Sequence, residues 1–217
     1  MSIKLQLAFD VITTDKAILV LEELEGLIDI VEVGTPFIVE EGMKPVKEIR
    51  KRFPDQTILA DVKIADGAKI EAKSAFEAGA DIVTVLALAE TQTIMDTVET
   101  ARAYQKKVLV DMLAVKDIPT KTRELETIGV DYICVHNAFD IQSQGKNPLD
   151  ELLILKQHIK TAKAAVAGGI KLQTLPGIVE AEPDIIIVGG AITNAADMRS
   201  TVKKMRKIME AGGCFRC

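Results

Sequence analysis

Over residues 3–209 the chain alternates eight short apolar runs with eight stretches of helical periodicity, without a break. The runs fall at 3–9, 27–33, 56–62, 81–86, 107–112, 131–136, 163–167 and 184–188. Each is nearly continuous in its apolar character, as expected of parallel strands covered on both faces. Helices are predicted at about 15–25, 41–53, 68–78, 91–104, 118–128, 148–159, 172–180 and 195–209. Thr14 or Asp15 would cap the first, and Gly79 and Gly129 would stop the third and fifth. At this length, strict alternation predicts an α/β fold with a single (β/α)8 barrel domain over 1–211 and a tail at 212–217. A doubly wound open sheet is the competing architecture. It would favour a glycine-rich turn after the first strand, where this chain reads Asp10-Val11-Ile12-Thr13.

With 48% hydrophobic residues among 217, the chain can bury one large core. A net charge of −5 argues against a nucleic-acid-binding surface. No apolar run reaches membrane-span length, and the start lacks a basic-then-apolar leader. The expectation is a soluble cytoplasmic protein with neither membrane nor nucleic-acid partners. Three cysteines are too few for a disulfide framework. Cys134 reads as core. Cys214 and Cys217 form a C-x-x-C in a terminal stretch without the strand and helix that a redox site needs, so they read as a frayed tail.

In a barrel the C-terminal strand ends converge on one face, which carries the site. Those ends read Asp10, Glu32, Asp61 with Lys63, Glu90, Asp111, His136, Gly168-Gly169 and Gly189-Gly190. Asp61 and Lys63 sit two apart in a strand and would share a face, with Asp66 just beyond. Burying such ions costs several kcal/mol each unless they are paired or bind something. A surface salt bridge is the plain alternative. Glu32 and Asp61, on adjacent strands, are oxygen donors suited to Mg²⁺; alternatively Glu32 pairs with Lys63. Zinc is disfavoured because no Cys/His set has its spacing. A lysine among the carboxylates Asp10, Asp61 and Asp66 stays protonated. It could stabilise an enediolate or donate a proton, and is ill placed for Schiff-base chemistry. His136 is a candidate acid/base or a hydrogen-bonded structural group; His158 reads as surface. The glycine pairs after the seventh and eighth strands suit phosphate, or are ordinary turns.

Asp10, Val31-Glu32-Val33-Gly34-Thr35-Pro36, Asp61-x-Lys63-x-x-Asp66 and the two glycine pairs together resemble the orotidine-5′-phosphate decarboxylase superfamily. Within it, Val110-Asp111-Met112, the stretch 132–136, Gln144-Gly145-Lys146-Asn147-Pro148, and the stretches 165–171 and 187–193 are most similar to the branch of the 3-hexulose-6-phosphate synthases. The resemblance spans the chain apart from 212–217. It implies Mg²⁺-dependent, reversible aldol condensation of D-ribulose 5-phosphate with formaldehyde, giving D-arabino-3-hexulose 6-phosphate through a 1,2-enediolate. It implies Glu32 and Asp61 on the metal, Lys63 on the enediolate, and His136 moving the C1 proton. Asp10 would bind substrate hydroxyls or Lys63. Asp111 joins Gly168, Gly169, Gly189 and Gly190 in the substrate and phosphate set. Asp66 would enter the partner's site in a homodimer with shared active sites. The alternative branch is the 3-keto-L-gulonate-6-phosphate decarboxylases, in which arginines are expected where this chain has Phe139 and Gly190. A non-enzymatic alternative is an inactive metabolite-binding barrel.

Overall fold

The computed structural model describes residues 2–138, 140 and 148–212. Among the described residues there are eight strands: β1 (Lys4–Phe9), β2 (Ile30–Val33), β3 (Thr57–Ile64), β4 (Ile82–Leu86), β5 (Lys107–Asp111), β6 (Tyr132–His136), β7 (Lys163–Ala167) and β8 (Ile185–Val188). All pair in parallel with their sequence neighbours, and β8 returns to β1, so the sheet closes. The protein is therefore a single-domain (β/α)8 barrel, and the open-sheet alternative falls.

Alternation along each strand divides the apolar residues between two cores. In β6, Tyr132 and Cys134 point into the barrel with Ile30, Leu59, Ile82, Leu109, Ala165 and Ile187. Ile133 and Val135 point outward, under the helices. Each large buried aliphatic contributes about 1.5–3 kcal/mol, so both faces of every strand add to stability. Cys134 is buried in this inner core, as its apolar neighbours suggest.

Among the described residues there are ten helices: α1 (Thr14–Glu23), α2 (Thr35–Glu41), α3 (Lys44–Arg52), α4 (Ala68–Ala78), α5 (Thr91–Ala103), α6 (Ile118–Ile128), α7 (Leu149–His158), α8 (Leu175–Glu180), α9 (Gly190–Thr193) and α10 (Met198–Gly212). Gly79 and Gly129 terminate α4 and α6 in the left-handed conformation, with φ of 110° and 80°. The first cap is Thr13, whose hydroxyl accepts from Lys16 N. Thr14 instead donates its hydroxyl to Glu41 at 2.7 Å. Two helices go beyond the sequence expectation. Pro36 looks like a breaker, but it sits in the first turn of α2, where its missing N–H costs nothing. The four-residue α9 occupies what the pattern shows only as a loop after β8. Helix α10 runs to Gly212, one residue into the expected tail. Gln144, Gly145, Lys146, Asn147, Phe139, Cys214 and Cys217 lie outside the described residues.

The N-terminal rim carries a fourfold hydrogen-bond repeat. Asp29, Asp81, Asp131 and Asp184 each stand immediately before an even-numbered strand. Their carboxylates accept the backbone N–H of Leu5, Ile58, Val108 and Ala164 at 2.7, 2.9, 2.9 and 2.9 Å. Each donor is the second residue of the preceding odd-numbered strand, so the four odd-to-even β-α-β units are each stapled at their base. On the rim opposite the strand C-termini, such a device serves stability rather than chemistry.

Candidate active site

Strand β3 leaves the regular ladder where the charges begin. Its pairing with β4 runs Leu59↔Ile82 and Ala60↔Val83, then resumes at Ile64↔Val85. Asp61, Val62 and Lys63 therefore stand opposite Thr84 alone. Lys63 takes φ +49°, the left-handed region, which costs an L-residue about 1–2 kcal/mol. Its N–H donates to Thr84 Oγ1 at 2.8 Å rather than to a ladder carbonyl. Strand alternation predicts Asp61 and Lys63 on one face. They do meet, but through this bulge.

Lys63 Nζ lies 2.6 Å from Asp61 Oδ2 and 3.2 Å from Asp111 Oδ2. Asp111 Oδ2 also lies 2.9 Å from His136 Nδ1, and Asp111 Oδ1 accepts from Leu113 N at 2.9 Å. Asp61, Lys63, Asp111 and His136 thus form one chain of contacts from β3 across β5 to β6. Burial alone would raise the Asp111 carboxyl, but the hydrogen bond and charge of His136, followed by Lys63, hold it below its usual value. Burial would lower the lysine, yet Asp61 and Asp111 outweigh it and hold the ammonium well above its usual pKa. Lys63 stays charged, as a lysine among carboxylates should. Its second carboxylate is Asp111, where the sequence suggests Asp66.

Asp61 is buried, and both its carboxylate oxygens accept hydrogen bonds. Oδ1 accepts from Thr84 Oγ1 at 2.7 Å and Oδ2 from Lys63 Nζ at 2.6 Å, while the single proton of Thr35 Oγ1 is shared between the Asp61 carbonyl at 2.7 Å and Oδ2 at 2.9 Å. Glu32 is buried beside it, with Oε2 accepting from Gln6 Nε2 at 2.5 Å. Burial, and then the charge of Asp61, push the Glu32 carboxyl up to about 8. Glu32 forms no salt bridge with Lys63 among the described residues, so the structural ion pair between them is not the arrangement found. Gln6 Oε1, on the same buried amide, has no hydrogen-bond partner among the described residues.

Glu32 is pushed toward its neutral form beside Asp61, and the neighbouring Gln6 amide oxygen lacks a partner among the described residues, so this corner would gain from an added cation. Among the described residues, no group of three or more His, Cys, Asp and Glu side chains converges for a metal. A two-carboxylate wall nonetheless fits Mg²⁺, which takes one or two carboxylates and keeps several waters.

Asp10 caps β1 on the same face. Partial burial and the charge of Asp61 raise its carboxyl, while Lys63 and His136 pull it down. It shares the electrostatics of the cluster and stands exposed at its edge. Gly34 explains how close it comes. A Cβ there would overlap Asp10 Oδ1 and lie 2.6 Å from Phe9 O. Asp66 is exposed, its Oδ1 accepting from Gly67 N at 2.7 Å, and within this chain it does not join the cluster. Glu90 is exposed at the start of α5.

Gly168 and Gly169 follow β7 with φ of +97° and +69°. A Cβ on Gly168 would lie 2.9 Å from Asn137 N and overlap its carbonyl, so this loop packs directly on the end of β6. Gly189 precedes α9, and Gly190 opens it. Both glycine pairs sit beside the cluster at the strand ends.

Sequence reasoning missed Gln6, Thr35 and Thr84. Two had a signal: a polar residue flanked by apolar ones inside a barrel strand, Leu5-Gln6-Leu7 and Val83-Thr84-Val85. Both are buried, and such groups need partners.

A family model described as the orotidine 5′-phosphate decarboxylase / HUMPS family matches residues 3–205. The chain is 48% identical over 209 residues to 3-hexulose-6-phosphate synthase of Bacillus subtilis (strain 168), a match covering 96% of this chain and all of that protein. It superposes on the crystal structure of 3-hexulose-6-phosphate synthase from Salmonella typhimurium with a TM-score of 0.94 and 40% identity, over 97% of this chain and 100% of that one. The crystal structure of 3-keto-L-gulonate-6-phosphate decarboxylase from Vibrio cholerae shares the fold, with a TM-score of 0.86 at 24% identity over 97% and 99% of the two chains.

Proposed function

Because the chain belongs to the orotidine 5′-phosphate decarboxylase / HUMPS family, and is nearly half identical along its length to a 3-hexulose-6-phosphate synthase, we infer that it is an aldehyde-lyase of that activity. It joins D-ribulose 5-phosphate to formaldehyde, reversibly, and yields D-arabino-3-hexulose 6-phosphate. The decarboxylase alternative rests on a likeness at 24% identity, which carries the fold alone. The observation that carries the mechanism is Lys63 held between Asp61 and Asp111, with Asp111 also on His136.

His136 takes the proton from C1 of ribulose 5-phosphate. With Nδ1 committed to Asp111, the basic nitrogen is Nε2. Asp111 fixes the ring and offsets the imidazolium charge that forms. As C1 loses its proton, negative charge develops on the oxygens of a 1,2-enediolate. The Lys63 ammonium is already in place to stabilise it and can return a proton to oxygen. The nucleophilic C1 then attacks the formaldehyde carbon; the formaldehyde C=O π bond opens to an alkoxide that takes the proton held by His136, while the C2 carbonyl re-forms. Glu32 and Asp61 would hold Mg²⁺, which supplies positive charge to the substrate oxygens when bound. Asp10 bonds substrate hydroxyls at the rim. Gly168, Gly169, Gly189 and Gly190 present backbone N–H groups to the phosphate, where a side chain would keep the anion away.

A second copy of the chain completes the site. Val11, Val39, Ile70 and Leu88 are all exposed, and they lie on or beside α2, α4 and the loops after β1 and β4. Such an apolar face favours burial against a partner. Asp66, at the same rim, is offered to the partner's site. No described helix is long and apolar enough to cross a membrane.

The test is direct. Purified protein with ribulose 5-phosphate, formaldehyde and Mg²⁺ consumes formaldehyde, and EDTA stops it. No consumption removes this reading and leaves a metabolite-binding barrel. Release of CO₂ from 3-keto-L-gulonate 6-phosphate transfers the assignment to decarboxylation.

A further inference from the structure

Thr84 is the one residue of β4 that faces the three-residue excursion of β3, and its hydroxyl meets both charged residues there. It accepts from Lys63 N at 2.8 Å and donates to Asp61 Oδ1 at 2.7 Å. A hydroxyl has one proton, so these two bonds fix its orientation completely. The first bond satisfies a strand N–H that the bulge strips of a ladder carbonyl, and so holds Lys63 in its left-handed backbone. The second fixes the rotation of the Asp61 carboxylate, leaving Oδ2 to Lys63 Nζ and Thr35. Thr84 is 3% exposed, so water cannot take over either role.

We propose that Thr84 is a positioning residue of the reaction, setting the Lys63 ammonium and the Asp61 carboxylate against each other through a single buried hydroxyl. This deepens the synthase reading and rests on it. On the proposed reading the phosphate is held by the glycine pairs after β7 and β8, whereas Thr84 stands on β4, so loss of the hydroxyl acts on turnover more than on substrate affinity. Asp61 is also a candidate metal ligand, so the same loss loosens metal binding.

Thr84→Val keeps the shape and removes both hydrogen bonds; Thr84→Ser keeps the bonds and removes a methyl. The valine protein should show kcat reduced at least tenfold, with KM for ribulose 5-phosphate within threefold of wild type. Its Kd for Mn²⁺, read by electron paramagnetic resonance without substrate, should rise at least threefold. The serine protein should return kcat and Mn²⁺ affinity to within threefold of wild type. If valine does not fold by circular dichroism, Thr84→Ala takes its place against serine. A hydroxyl-free variant with kcat and Mn²⁺ affinity within twofold of wild type overturns the proposal. So does a folded serine variant as impaired as valine, or a pair of unfolded Val and Ala variants, which would make the hydroxyl a folding requirement only. Failure of the synthase reading is separate: the wild type itself would then consume no formaldehyde, while the Mn²⁺ comparison still decides the role of Thr84.

Discussion

Asp111 Oδ2 sits 2.9 Å from His136 Nδ1 and, at the same atom, 3.2 Å from Lys63 Nζ. One carboxylate oxygen therefore orients the candidate base and neutralises the candidate electrostatic stabiliser. Replacing it with an amide changes both. Asp111→Asn should lower kcat by about 10²–10⁴, the usual range for loss of general acid–base assistance. The amide is nearly isosteric, so folding should persist with a loss of about 1–3 kcal/mol from the weakened buried bonds. Formaldehyde consumption and urea denaturation read the two effects separately. A variant with undiminished turnover would remove Asp111 from the mechanism.

Lys63 carries the second prediction. Its ammonium contacts both Asp61 and Asp111 and feels the nearby Glu32. Lys63→Ala should reduce turnover by at least about 10³, since a preorganised charge at the developing oxyanion is lost. Its circular dichroism should match that of the wild type, because the barrel cores are untouched. Full activity in this variant contradicts the assigned role.

Glu32 gives a pH dependence whose sign is fixed. Its carboxyl lies near 4.5 when unfolded and is pushed up to about 8 in the fold, by burial and the charge of Asp61. Between those values the folded state holds a proton that the unfolded state releases. Stability from this group is therefore complete below about 4.5 and falls as pH rises through 8, by at most about 1.4 kcal/mol per pH unit. In EDTA, Glu32→Gln should lose less stability than wild type between pH 5.5 and 8.5. Mg²⁺ should flatten the wild-type curve by favouring the charged form. Urea midpoints at three pH values decide it; a wild type that gains on the variant as pH rises runs the wrong way.

The barrel was legible because its strands are continuous apolar runs and its helices end at glycines such as Gly79 and Gly129. Pairwise contacts at the site were less so. Asp61 and Lys63 could be placed on one face by alternation, but the bulge that carries them there cannot be seen from spacing. Nothing in the one-dimensional pattern chooses Asp111 over Asp66 as the second partner of Lys63. That choice is made across the sheet, where β5 pairs with β4 and Asp111 Oδ2 comes to 3.2 Å from Lys63 Nζ, while Asp66 stays exposed on Gly67 N. Pro36 misleads for a related reason: a proline can close one element or open a helix, and here, after the Gly34 turn, it opens α2.

The fourfold aspartate staple was also present in the sequence, as an Asp before every second strand, yet each copy alone looks like an ordinary turn residue. Its role predicts an effect confined to stability. Asp131 Oδ2 accepts from Val108 N at 2.9 Å, and Val108 is fully buried. Asp131→Ala strips that N–H of its partner where water enters poorly. The cost should be about 1–3 kcal/mol, seen as a lower urea midpoint with an unchanged denaturant slope. Because the staple lies at the opposite rim from Lys63 and His136, kcat and KM should stay within twofold of wild type below the new transition. A large loss of turnover in a folded Asp131→Ala protein would mean that the lower rim is coupled to the site, against the division of labour between the two ends of the barrel.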